Sequence, residues 1–164
     1  MNYHKIDKCS ISNGIGFRTV LWLSGCSHRC DDCHNPETWD SESGQTFDET
    51  AKQELFDNLE HDYISGVTFS GGDPLFWSNR TPVENLAKEI KEKYPKKTIW
   101  LYTGDDWHDI KDLPLFRYID VVVDGIYMKK HQDKALPFRG SSNQRLIDVQ
   151  KSLNEKCVVL YDIT

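Results

Sequence analysis

The stretch Arg18-Thr-Val-Leu-Trp-Leu-Ser-Gly-Cys26-Ser-His-Arg-Cys30-Asp-Asp-Cys33 decides the reading of this chain. Its first half is a short, nearly continuous apolar run, the pattern of a strand buried on both faces. Its second half places three cysteines within eight residues at C-x3-C-x2-C spacing. Thiolates this dense, with no second cysteine run to pair with, point to a metal centre rather than a disulfide framework. Three ligands hold three irons of a four-iron cluster and leave the fourth iron open, the arrangement of a reactive centre. Other readings remain open on these residues alone. Cys30-Asp-Asp-Cys33-His34 matches the C-x-x-C-H pattern of haem attachment, and the three cysteines with His34 would make a zinc site.

Outward from this stretch, apolar strands alternate with amphipathic segments. A helix is expected over Asp48–His61, with Ala51, Leu55, Phe56 and Leu59 on one face and either a Thr46–Glu49 capping box or Asp48 at its start. Gly66–Ser70 reads as a strand. Thr81-Pro-Val-Glu84 predicts a helix start, and Pro95 its end. Thr98–Thr103 and Tyr118–Asp124 read as further strands, with a short helical piece at Asp106–Ile110 between them. Arg145–Gln150 and Cys157–Tyr161 read as a C-terminal strand pair around a polar turn. The fold class expected is α/β: an incomplete, open TIM-like barrel of βα units with mostly parallel strands, forming a single domain over residues 1–164. Four unusual loops follow the predicted strands, at Cys26–Cys33, Ser70–Asp73, Thr103–Gly104 and Asp124–Gly125. Ligands sit beyond the carboxyl ends of strands in such sheets, so the four loops predict one site.

Composition narrows the function classes. The 164 residues carry 26 acidic and 20 basic side chains, a net charge of −6, so no nucleic-acid footprint is expected. No segment reaches the ~20 apolar residues of a membrane span. The polar first residues carry no signal-peptide run, and five cysteines make an odd count, which together predict a cytoplasmic protein with reduced thiols. Cys9 and Cys157 stand apart and read as ordinary thiols. His28 and His34 read as loop residues, Trp39 as a core anchor. The polar run Arg139–Arg145 fits either cofactor or partner contact, or a cap on the barrel.

Ser70-Gly-Gly-Asp-Pro74 is by itself a turn, or a strand end where a ligand meets bare backbone beside a carboxylate. The cysteine loop and this stretch, about forty residues apart in this order, resemble the radical S-adenosylmethionine enzymes. The further stretches Asn13–Cys26, Cys33–Trp39, Ser70–Leu75, Trp100–Gly104, Val123–Gly125 and Phe138–Asp148 are similar to the anaerobic ribonucleotide reductase activating proteins, in family order over nearly the whole chain. The resemblance implies a [4Fe-4S] cluster on Cys26, Cys30 and Cys33, and S-adenosyl-L-methionine held through its methionyl amino group by Ser70, Gly71, Gly72 and Asp73. It implies reductive cleavage to a 5′-deoxyadenosyl radical, which makes a glycyl radical on the large subunit of anaerobic ribonucleotide reductase. A low-potential electron donor such as flavodoxin or ferredoxin is implied as a second partner. Thr103, Gly104, Asp124 and Gly125 are candidates for the adenosine or carboxylate of the cofactor, or else turn residues after buried strands. Three positions depart from the family pattern: Asp32 where an aromatic residue is frequent, Ile15 where proline is common, and Ile126 where a basic residue is frequent.

Overall fold

The computed structural model describes residues 1–163. Seven strands form one open sheet: β1 (Asn2–Ser10), β2 (Phe17–Leu23), β3 (Gln45–Thr46), β4 (Ile64–Gly71), β5 (Thr98–Tyr102), β6 (Val121–Asp124) and β7 (Arg145–Asp148), in the order β3-β1-β2-β4-β5-β6-β7. The central strands β2, β4, β5 and β6 are parallel neighbours. Pairing of β1 with β2, β3 with β1 and β7 with β6 is antiparallel. The expected incomplete barrel is therefore a mixed sheet that does not close, parallel only at its centre.

Alternation along the central strands divides the core in two. Leu21, Leu23, Val67, Phe69, Ile99, Leu101 and Val122 point to one face. There they meet α1 (Glu49–Leu59) through Ala51, Leu55, Phe56 and Leu59, and α2 (Arg80–Lys93) through Val83, Leu86, Ala87 and Ile90. The short helices α3 (Trp107–Ile110) and α4 (Val149–Glu155) add Trp107, Ile110 and Val149 to the same core. On the opposite face Trp100, Val121, Val123 and Leu146 make a smaller cluster, covered by Phe138 and Tyr161 instead of a helix.

That second face also buries a charge. Arg18 is fully enclosed, and its guanidinium donates to Thr68 Oγ1, Thr98 Oγ1 and the carbonyls of Val67 and Thr98 at 2.7–2.9 Å. It lies over the Trp100 ring at 5.3 Å. Burial pulls its pKa down to about 10, which leaves it charged at neutral pH. A buried cation is tolerable when every donor is satisfied, and here it bolts β2 to β4 and β5.

Several boundaries differ from the sequence expectations. β1 was not anticipated: it is polar, with only Tyr3 buried, because its role is to cover the β2 edge. Asp48 caps α1 by accepting from Ala51 N, so the Thr46 alternative fails. α2 starts at Arg80, before the expected Thr81 cap. The preceding Asn79 spends its amide on the carbonyls of Ser24 (2.8 Å) and Asp73 (3.1 Å), so tertiary contacts set that start. β6 begins only at Val121, after a 3-10 turn over Pro114–Arg117. The C-terminal strand pair is shorter than expected: β7 stops at Asp148, whose carboxylate accepts from Lys151 N and opens α4. Residues 157–161 keep one bridge, Ile147 to Leu160.

Candidate metal and cofactor site

Because β2, β4, β5 and β6 are parallel, their carboxyl ends share one rim, and the loop after each ends there. An open cleft of about 650 Å³ at this rim is lined by Cys26, Cys30 and Cys33, by Ser70, Gly71, Gly72 and Asp73, and by Thr103, Gly104 and Gly125. The fold thus brings together all three predicted ligands and seven of the eight predicted cofactor residues. Asp124 is the exception. It is buried below the rim, with its carboxylate taken by the Arg145 guanidinium and the Trp107 N–H.

The cysteine loop is built by backbone geometry. Gly25, at φ +99°, turns the chain out of β2, and Gly25 N and Cys26 N donate to the carbonyls of Thr38 and Trp39. Arg29 (φ +48°) and Asp32 (φ +56°) adopt the left-handed conformation, each directly before a cysteine. Aspartate is among the few residues with a side chain that accept this conformation readily. The departure from an aromatic residue at Asp32 thus has a local physical fit, and its carboxylate pairs with Lys129.

The thiols suit an iron–sulfur centre. All three are free and half-buried. Burial pushes the Cys26 and Cys30 thiols up from their ordinary value, so a metal that needs thiolates must displace protons on binding. Backbone N–H groups oppose this: those of His28 and Arg29 face Cys26, and that of Tyr127 faces Cys30. Asn35 N donates to Cys33 Sγ at 3.4 Å. N–H donors of this kind around ligand sulfur stabilise its negative charge and tune the metal. The Trp39 indole N–H is buried without a protein partner, while its ring lies under the Arg29 guanidinium at 5.5 Å. Trp39 is thus part of the cleft wall, not the core anchor its size suggested.

The Gly-Gly-Asp stretch is packed for its own reasons as well. A Cβ on Gly71 would meet the Leu23 backbone at 2.6 Å, and one on Gly72 the Gly25 carbonyl at 2.5 Å. The glycines let β4 end flush against the start of the cysteine loop, sealed by Gly72 N to Leu23 O and Asp73 N to Gly25 O, both 2.7 Å. Asp73 is buried and accepts four donors: Leu75 N on Oδ1 (2.8 Å), and His28 Nε2 (2.7 Å), Thr103 Oγ1 (2.9 Å) and Gly104 N (3.0 Å) on Oδ2. The hydrogen bond to Asp73 raises the His28 pKa, against the effect of burial. Asp105, 3.6 Å from His28, is also raised, chiefly by burial and by the Asp73 charge.

Sequence reasoning read His28 only as a loop residue and gave Asn35, Tyr102 and Tyr127 no individual role, yet all four line the cleft. The C-x-H-x-C pattern of Cys26–Cys30 was the one available signal for His28. The others arrive from loops whose positions depend on the sheet order. Tyr102 is held by its hydroxyl, which donates to the Phe138 carbonyl at 2.7 Å. From the expected run Arg139–Arg145, Gln144 reaches the cleft, and Gln144 and Asn143 tie down the loop after β6 by donating to the carbonyls of Gly125 and Ile126.

An open α/β sheet with a three-cysteine loop and a glycine-rich loop on one rim defines a class, and residues 12–147 match the family model described as a 4Fe-4S single cluster domain. The chain is 45% identical over 146 residues to the anaerobic ribonucleoside-triphosphate reductase-activating protein of Enterobacteria phage T4, covering 89% of this chain and 93% of that one. It is 37% and 36% identical to the proteins of the same name from Vibrio cholerae and Escherichia coli K12, covering 88% of this chain and 96% of each. The chain belongs to the family of anaerobic ribonucleoside-triphosphate reductase-activating proteins. The iron–sulfur family supports a [4Fe-4S] cluster over the haem and zinc patterns. Among the described residues no helix is long and apolar enough to cross a membrane.

Proposed function

We propose that this chain is a single-domain radical S-adenosylmethionine activase that generates a glycyl radical on the large subunit of anaerobic ribonucleotide reductase through a 5′-deoxyadenosyl radical. The observation that carries the reading is the convergence of three thiols and the Ser70–Asp73 loop in one open cleft. Cys26, Cys30 and Cys33 would hold a [4Fe-4S] cluster, which with S-adenosyl-L-methionine supplies one-electron cleavage of a carbon–sulfur bond. Ser70, Gly71 and Gly72 would hold the cofactor at the end of β4, while the Thr103 hydroxyl and the Gly104 N–H brace Asp73 beside them. Gly71, Gly72, Gly104 and Gly125 keep backbone accessible, while Tyr102 and Tyr127 provide ring surface, a mixture that suits a zwitterion joined to a nucleoside.

No side chain needs to act as a general base. The protein's work is to bind, orient and exclude water, and the open rim leaves room for a segment of another protein to approach. The electron is expected from a low-potential donor such as flavodoxin or ferredoxin. The test is 5′-deoxyadenosine formation by the anaerobically reconstituted, dithionite-reduced protein, and appearance of a glycyl radical signal when the reductase is added. Cys30→Ala should abolish both. A native protein with its cluster fully loaded that forms no 5′-deoxyadenosine, with or without the reductase, sinks the reading.

A further inference from the structure

The cysteine loop and the loops at the ends of β4 and β5 meet through one side chain. The His28 ring, four-fifths buried, sits between Cys26 and Cys30 in sequence and donates from Nε2 to Asp73 Oδ2, 2.7 Å away. The same oxygen takes Thr103 Oγ1 and Gly104 N, so one carboxylate gathers three loops. Gly104 packs directly on the imidazole: a Cβ there would lie 2.5 Å from His28 Cδ2 and 2.7 Å from Nε2. Three donors crowd Oδ2 of a buried carboxylate, and Oδ1 already holds Leu75 N. Asp73 is therefore an organiser of the cleft, and His28 is the only one of its donors supplied by the cysteine loop.

We propose that His28 is a positioning residue that ties the cysteine loop to the loops receiving S-adenosyl-L-methionine, by holding Asp73 from one side while Gly104 leaves space for its ring on the other. The inference rests on the function proposed above. It makes His28 a determinant of cofactor affinity and not of cluster assembly, since its side-chain hydrogen bond goes to Asp73 and not to a cysteine sulfur.

The experiment is equilibrium dialysis of S-adenosyl-L-methionine against the reconstituted protein, with iron and acid-labile sulfide measured on each sample. His28→Ala should load its cluster as the native protein does but bind the cofactor roughly tenfold more weakly, the scale of one lost hydrogen bond to a charged group. His28→Gln, whose amide reaches a similar position, should restore most of that affinity. Unchanged affinity in His28→Ala, no recovery in His28→Gln, or a loss of iron from the alanine variant would each overturn the proposal. A loaded native protein that binds no S-adenosyl-L-methionine would instead remove the parent reading.

Discussion

At the residue scale, the cleft depends on atoms that are missing as much as on those present. Gly72→Ala would drive a Cβ against two backbone carbonyls, of Gly25 at 2.5 Å and Thr38 at 3.0 Å, neither of which can swing away. We expect it to cost about 2 kcal/mol in denaturant unfolding and to lower iron uptake, because the cysteine loop must shift to admit it. Arg18 is the opposite case, a large charged side chain in the place of an apolar one. Arg18→Met leaves the carbonyls of Val67 and Thr98 without their donor and should cost about 3 kcal/mol, a fall in Tm of roughly 10 °C for a chain of this size. The cysteines and glycines were legible because their chemistry is tied to residue type. Arg18 was not: in sequence it is one charged residue at the start of an apolar run, and its partners Thr68 and Thr98 lie fifty and eighty positions away.

At the scale of elements, the strongly patterned pieces were found and their ends were not. Leu55, Phe56 and Leu59, or Val83, Leu86 and Ile90, repeat at helical spacing, and burial enforces that spacing wherever the helix starts. The start of α2 is decided elsewhere, by Asn79 bonding to the ends of β2 and β4. Asn79→Ala should therefore cost more than an ordinary cap, about 2 kcal/mol, and should weaken iron retention, whereas Thr81→Ala should be nearly silent. Thermal unfolding with iron analysis on both variants separates the two starts. At the other end of the chain, Asp148→Ala removes the cap of α4 and should cost about 1 kcal/mol. A strand continuing to Gln150 would make the same change close to neutral, so the calorimetric result distinguishes the two descriptions. The strand expectation ran two residues too far, because Arg145–Gln150 is apolar enough for a strand while the capping signal lies in one aspartate within it.

On the scale of the whole molecule, the fold separates the five thiols into two kinds. Cys9 and Cys157 are exposed, while Cys26, Cys30 and Cys33 share the cleft. Anaerobic alkylation of the cluster-loaded protein should modify two thiols quickly, and removal of iron by a chelator should raise the count to five. Protection of any other number would contradict the ligand set. The loaded protein should also melt higher than the iron-free one, since a group bound only by the folded state stabilises it. The sequence by itself determined the family, the three thiols, the alternation of strands and helices, and the loops that gather at one rim. These are local matters, of residue type, spacing and hydrophobic period. Only the tertiary structure decided that the sheet stays open, that polar β1 belongs to it, that Asp124 turns to Arg145 and away from the cleft, and that His28 closes on Asp73. Each depends on contacts between residues distant along the chain, where strand order and packing choose the partner and no local pattern records the choice.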